Sequence, residues 1–468
     1  MNIFEKLKER GFDTVPEDFY SMIDVWRSWY DGNVNNFHTF RVFNGQSHVT
    51  CHRYTMGMAK KVAEDWANLL MNEKVKITLE GEKEQAFFDS VCTENNFMVK
   101  ANEAQEVKAS VGTAAYVPRV EGAVADSNTG DVSGGKIKID FVSAPHIFPL
   151  SWENGIVKEC AFSSQRVIKN EKYVYLQIHR LGGDGRYVIE NVLYLDSNGN
   201  LKEVPNSEVP GFENVPEKVR TNSAERQFVI DRLAIANNVD VSIPMGIPAY
   251  ANAIDNLKGV DIAYDSYVNE FVLGKKRIIV KPEATKNIDG EELFDVNDLT
   301  FYVLPEDTQN GNIIEEIDMT LRTQEHNAGM QDMLNSLSSK CGFGENHYRF
   351  DRGSVSTATQ IISENSTMFR TVKKHEIILE SALIELCRII LRLGNSVLNA
   401  GLNEDVEISI DFDDSIIEDK ETEFNRDSRM LQMGIMNDWE FRMKWMNEDE
   451  KTARKFLPAM ESLVSDTV

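Results

Sequence analysis

Residues 247–276 read IPAYANAIDNLKGVDIAYDSYVNEFVLGKK. Pro248 is tolerated in a first helical turn, where its missing N–H costs little. Ile254, Leu257, Tyr264, Val268 and Phe271 recur at steps of three and four, which puts them on one helix face. Two strand-like runs follow, RIIVKP (277–282) and FDVNDLTFYVLP (294–305), each ended by proline. IIEEIDMTLRTQEHNAGMQDMLNSLSSK (313–340) returns to helical spacing, with Ala328, Met330, Met333, Leu334 and Leu337 as its apolar positions. CGFGENHYRFDRGS (341–354) breaks that pattern at Gly342, Gly344 and Gly353. The stretch 354–401 then reads as one helix or a kinked pair, up to about 60 Å long if straight. Ser354 or Ser356 is its expected N-cap.

Outward from this centre, the N-terminal side is helical first. FYSMIDVWRSWYDG predicts a short helix, with Trp26, Trp29 and Tyr30 as core or interface anchors. YTMGMAKKVAEDWANLLMNE is amphipathic: Met58, Val62, Trp66, Leu69 and Leu70 share the buried face, Lys60, Lys61, Glu64 and Asp65 the wet one. VKITLEG is a strand, and the helices after it end near Gly112. From Ala114 to about Val204 the period changes to two and predicts an antiparallel meander. FVIDRLAIANNV reads as a strand or irregular connector. After Gly401, VEISIDF is a strand, and the acidic stretch behind it leads into two short helices.

The 468 residues suggest roughly three structural units. Hydrophobic content of 42% and charged content of 27% are globular and allow a large core. The formal charge is −25, with 75 acidic against 50 basic side chains. Tight binding of nucleic acid through phosphates needs a basic face, so this balance argues against it for the surface as a whole. An acidic wall would still suit a conduit that must not hold a polyanion, and acidity also simply keeps a protein soluble. Cys51, Cys92, Cys160, Cys341 and Cys387 are odd in number and never in CxxC, which suits reduced thiols. No apolar signal core opens the chain, and no run reaches the ~18 apolar residues of a membrane span.

No stretch carries a catalytic or metal signature. GDVSGGK (130–136) fits the P-loop spacing, but Ile137 follows the lysine and strand-like KIDFV comes next, so it reads as a hairpin turn. GGDG (182–185) is likewise a turn. The eight histidines form no HExxH, and no GxSxG surrounds a serine. The sequence therefore predicts no enzyme, no metal and no cofactor. Lys275, Lys276, Arg277 and Lys281 are the one compact basic cluster. They either neutralise a helix C-terminus or belong to a charged surface.

The order of helix, β insert, helix, loop and long helix resembles the portal proteins of tailed bacteriophages, of the siphophage type. The wording is closest in AKKVAEDWANLLMNEKVKI (59–77), NAIDNLKGVDIAYDSYVNEFVLGKKRI (252–278) and GFGENHYRFDRGSVSTATQIISENSTMFRTVKKHE (342–376). The resemblance covers nearly the whole chain. It implies an α+β subunit with a β-rich wing (1–241) and a first stem helix (242–273). A clip (274–316), a second stem helix (317–340), a tunnel loop (341–355) and a long wing helix (356–400) would follow. Residues 401–468 would add a wing strand and short crown-like helices.

The resemblance also implies a ring of about twelve copies at one vertex of a virion. Double-stranded DNA would pass through it without sequence reading. Terminase, a head–tail adaptor, capsid and scaffold proteins would dock on it, with assembly in the bacterial cytoplasm and no membrane partner. In that reading Gly342, Phe343, Gly344, Asn346, His347, Arg352 and Gly353 are the channel-facing candidates. The basic cluster sits at the stem–clip junction. Asp255, Asp261, Asp265, Glu270, Glu315, Glu316, Asp318, Glu325 and Asp332 would be a solvated face, some of them lining the lumen. The alternatives are another head–tail structural protein or an enzyme whose site is assembled from scattered carboxylates.

Overall fold

The computed structural model describes residues 2–43, 45–122, 124–125, 132–274, 277–280, 301–303, 314–317, 320–350, 358–412, 420–446 and 448–455. Its core begins where the helix Met58–Leu70 packs on Phe97–Val111. The first helix turns Val62, Trp66 and Leu70 inward, each with no exposed surface. The second meets it with Ala101, Ala104 and Ala109, whose small side chains let the two backbones approach. Helix Glu17–Tyr30 closes this layer with Ile23, Trp26 and Trp29 buried.

The expected meander divides into two larger sheets, apart from the short ladder of Val124–Ala125 with Val132–Ser133. In the first, Ile147–Glu153, Ile156–Ile168, Glu171–Leu181, Tyr187–Ser197 and Asn200–Val204 pair antiparallel in chain order, and Lys218–Arg220 adds beside Tyr187–Ser197. In the second, Thr113–Glu121 lies between Val229–Arg232 and Lys136–Ser143. The division falls at the 3-10 turn Ala144–His146, where Pro145 has no N–H to continue a ladder. Lys136 opens a strand, as the hairpin reading of GDVSGGK requires, and within that stretch Val132–Ser133 pairs with Val124–Ala125; residues 130 and 131 lie outside the described residues.

A buried polar knot joins helix to sheet. Lys108 Nζ lies 3.0 Å from both oxygens of Asp231, and Tyr116 and Gln105 donate to the same carboxylate at 2.8 and 2.9 Å. Lys108 and Asp231 are fully buried. Burial pulls the Lys108 pKa down, against the attraction of Asp231.

The long helix is a single one, Ala358–Leu398, of 41 residues. Val372, Leu379, Leu383, Leu386, Ile390, Leu393 and Val397 follow its inner stripe and are buried. Its expected serine caps lie outside the described residues. The strand Ile408–Asp411 pairs antiparallel with Lys76–Leu79, so the end of the chain returns to the N-terminal layer. Beyond it, among the described residues, stand three helices, Lys420–Gln432, Asp438–Met446 and Glu450–Lys455, where two were expected. The break comes at Gly434, whose φ of +70° is left-handed, and Glu440 then caps the next start by accepting from the Asn437 N–H at 2.7 Å.

Candidate functional site

The antiparallel helices Ile254–Leu273 and Thr323–Lys340 form the element on which the sequence reading turned. Both start later than expected. Residues 246–250 are held in the core: the Ala249 N–H donates to Ala109 at 3.0 Å and the Gly246 N–H to the Thr113 hydroxyl at 2.9 Å. The fully buried Tyr250 hydroxyl lies 3.0 and 2.8 Å from the carbonyls of Trp26 and Ser110. Gly112 and Gly246 pass so closely that a Cβ on either would fall 2.3–2.4 Å from the other's carbonyl oxygen. A 3-10 turn, Ala251–Ala253, therefore separates Pro248 from the helix. At the second helix, Ile314–Ile317 is a strand, because its β-branched residues pair antiparallel with Arg277–Val280. Arg277–Val280 also pairs in parallel with Phe301–Val303. The β insert thus reaches to 317, and the helix opens at Thr323.

Contacts along the pair fix its register. The Asn256 amide donates to the Ser336 hydroxyl at 2.7 Å, and a Cβ on Gly259 would lie 3.2 Å from the Met333 sulfur. Tyr267 stands edge-on to His326 at 5.9 Å. At the far end Glu270 accepts from the Arg322 guanidinium at 3.1 and 2.8 Å and from its N–H at 3.2 Å. Those bonds hold the Glu270 pKa down at about 2.

Two carboxylates tie the pair to the body. The Val34 N–H donates to His38 Nδ1 at 2.8 Å, which leaves Nε2–H to donate to Asp261 at 2.9 Å. Asp261 also accepts from the Met56 N–H at 2.8 Å and the Thr55 hydroxyl at 3.2 Å. One turn on, Asp265 accepts from the Tyr54 N–H at 3.0 Å. Asp261 and His38 are buried, so Asp261, Asp265 and Glu270 are internal partners and not members of a free acidic face. Asp255, which pairs with Lys258 at 2.9 Å, is exposed, as are Glu325 and Asp332, as expected. The side chains of Glu315, Glu316 and Asp318 lie outside the described residues.

The glycine-punctuated loop folds back over residues 341–350. Phe343 is buried, stacked between Trp66 at 4.8 Å and His347 at 4.4 Å between ring centroids. Trp66 Nε1–H donates to the Cys341 carbonyl at 3.1 Å, and the Ser338 hydroxyl to the Gly344 carbonyl at 2.6 Å. Gln331 bonds the backbone of both Tyr348 and Phe350 at 2.8 Å. Gly342 has φ +89°, and a Cβ there would meet Thr371 at 2.9 Å. Only glycine fits that spot.

Phe343, expected to face a channel, is instead an apolar anchor whose ring gains more from Trp66 than from water. Gly342 and Gly344 serve the same tight turn. Asn346 and His347 remain on the outer side, and His347 Nε2 lies 3.6 Å from Asp65. Burial pushes the Asp65 carboxyl up, but its bonds with His347 and Lys61 outweigh this and hold it below its usual range. Arg352, Gly353, Lys275, Lys276 and Lys281 lie outside the described residues; Arg277 opens its strand opposite Ile317.

Among the described residues no group of His, Cys, Asp and Glu is arranged to hold a metal, and no helix is long and apolar enough to cross a membrane. All five cysteines are free thiols. A groove of about 660 Å³ lies between Lys76–Leu79 and the helices Glu82–Asn95 and Phe97–Val111, lined by more apolar than polar surface.

The fold is thus a mixed helix-and-strand subunit built around a helix pair with an interposed β insert. The family model described as "Phage portal protein, SPP1 Gp6-like" matches residues 15–454, and the chain belongs to that family. Portal proteins are a structural family, not a family of enzymes. Among solved structures the chain is similar to one titled "Neck of native GTA particle computed with C12 symmetry". The identity there is 10% and the TM-score 0.44, over 92% of this chain and 94% of the other. Comparison with curated proteins gives no match.

Proposed function

We propose that this chain is one subunit of a closed portal ring through which DNA enters, is retained in and leaves a phage head. The observation that carries this reading is membership of the portal family over residues 15–454. The helix pair supports it physically. Ile262, Phe271, Val272 and Met333 are 51%, 43%, 45% and 43% exposed on the free subunit, which is apolar surface that copies packed side by side would cover. The pair is then the stem, the β insert the clip and the body the wing, with about twelve copies closing the ring. Residues 401–455 finish the wing through the strand Ile408–Asp411 and add short crown-like helices.

In the ring, Asn346 and His347 with Arg352 and Gly353 are the groups that approach DNA. Phe343 and its stack hold the loop that presents them. Asp255, Glu325 and Asp332 supply solvated carboxylates that weaken phosphate contact, in keeping with the overall charge of −25. The basic cluster at 275–281, repeated once per subunit, makes a band of weak, sequence-independent contact. Terminase and the head–tail adaptor dock at the clip, and capsid and scaffold proteins surround the wing in the virion. Electron microscopy of the purified protein tests the reading: rings with a central hole wide enough for duplex DNA are expected. A protein that stays monomeric at all concentrations, salts and with capsid and scaffold proteins added would overturn it.

A further inference from the structure

The hairpin Thr39–Phe43/His48–His52 stands apart from the other sheets: its two strands pair with each other and with no third strand among the described residues. Two-stranded ribbons are marginal in water without a surface to lie on. This one has a firm base and a bare tip. At the base, the Arg53 N–H donates to His38 at 2.7 Å, and its guanidinium donates to the Phe37 carbonyl at 2.6 Å and sits 4.3 Å over the Phe37 ring. Toward the tip, Val42 and Val49 face each other across the strands, 45% and 42% exposed, and Phe43 is 59% exposed. From 39 to 53 the segment carries Arg41, Arg53, His48 and His52 and no carboxylate.

The groove beside Lys76–Leu79 has the complementary character. Ile77, Phe88, Cys92 and Met98 line it, and Met98 and Val99 are 37% and 52% exposed. Glu80, Glu82 and Asp89 stand around it against the single cation Lys76. None of the three carboxylates has a cationic partner among the described residues, and neither has Arg41 a carboxylate. The outer edge of Lys76–Leu79 is already occupied, because Gln85 accepts from the Leu79 N–H at 2.7 Å and donates to the Ile77 carbonyl at 3.4 Å. An incoming element would therefore fill the groove with side chains and not add a strand.

A ring built from one repeated contact needs two different surfaces on each subunit, one that projects and one that receives. We propose that the 39–52 hairpin of one subunit seats Phe43 in the 76–98 groove of the next copy, with Arg41 against Glu80 and Glu82. This rests on the ring reading above.

The test places Phe43→Cys and Met98→Cys in the full chain carrying Cys51→Ser and Cys92→Ser, and treats assembled rings with a short bismaleimide. The expected result is a ladder of covalent multimers on a denaturing gel, absent when either new cysteine is present alone. Arg41→Glu should lower ring yield by roughly threefold, and adding Glu82→Lys should restore it. Rings that form without a ladder, or a link confined within single chains, would overturn this contact and leave the ring reading intact. Wild-type protein that forms no rings would overturn both. Should the cysteine variants not fold, hydroxyl-radical footprinting of wild-type rings decides. Protection of Phe43 and Met98 is expected, and full reactivity overturns the contact.

Discussion

The long helix Ala358–Leu398 and the helix Ile254–Leu273 share one apolar spacing but end in opposite surroundings. The long helix has its stripe from Val372 to Val397 covered by the sheet centred on Thr113–Glu121, the strand Ile408–Asp411 and the N-terminal helices. Among its described side chains the shorter one buries Leu257, Val260 and Asp261 and leaves Ile262, Phe271 and Val272 in water. Periodicity therefore names a face without saying what lies on it. In one helix the covering surface belongs to the same chain. In the other, neighbouring copies in the proposed ring would supply it.

Breaking the body should cost the most. Lys108→Ala strands the buried Asp231 carboxylate, and about 3–5 kcal/mol of stability should be lost in urea unfolding of the subunit. Leu386→Ala opens a cavity under the long helix and should cost about 2–5 kcal/mol by the same measurement. A loss below about 1 kcal/mol for either would mean that the body is not packed as described.

Over a single pH unit, acid gives a third, smaller effect. Burial holds the His179 and His375 rings neutral, with pKa values of about 3. Among the described residues His179 has no hydrogen-bond partner, and it stands edge-on to both Phe162 and Phe228. The unfolded chain takes up these protons near pH 6.5 and the folded one does not. Stability is therefore full above pH 6.5 and falls towards pH 3, by about 1.4 kcal/mol per pH unit for each ring. His179→Leu should remove one ring's share, giving a shallower fall in denaturant midpoint between pH 6.5 and 4.5. An unchanged slope would contradict it.

The smallest effect on the free subunit is expected at the helix pair. Ile262→Ser with Phe271→Ser should change monomer stability by less than about 0.5 kcal/mol while abolishing rings. If instead the monomer unfolds, the comparison between the two helices fails.

Much of this was legible in the chain. The Trp66 face, the β insert with strands at 277 and 301 and the 408–411 strand all follow from local spacing. The starts of the helix pair did not, because Tyr250 and Ile314–Ile317 are committed to partners elsewhere. Asp261 read as a solvated carboxylate for the same reason. Its partners His38, Thr55 and Met56 lie more than 200 positions away. Lys108 and Asp231 are 123 positions apart, and nothing near either marks it as buried. Phe343 had one local clue, an aromatic set between two glycines in a tight turn, which suits an anchor better than a projecting tip.

The most direct measurement is hydroxyl-radical footprinting of Phe271 and Met333 in dissociated subunits and in assembled particles, with the 72%-exposed Val167 as reference. Both residues are expected to lose most of their reactivity on assembly while Val167 keeps its own. Phe271 and Met333 reacting equally in both states would contradict the claim that neighbouring copies cover the helix pair.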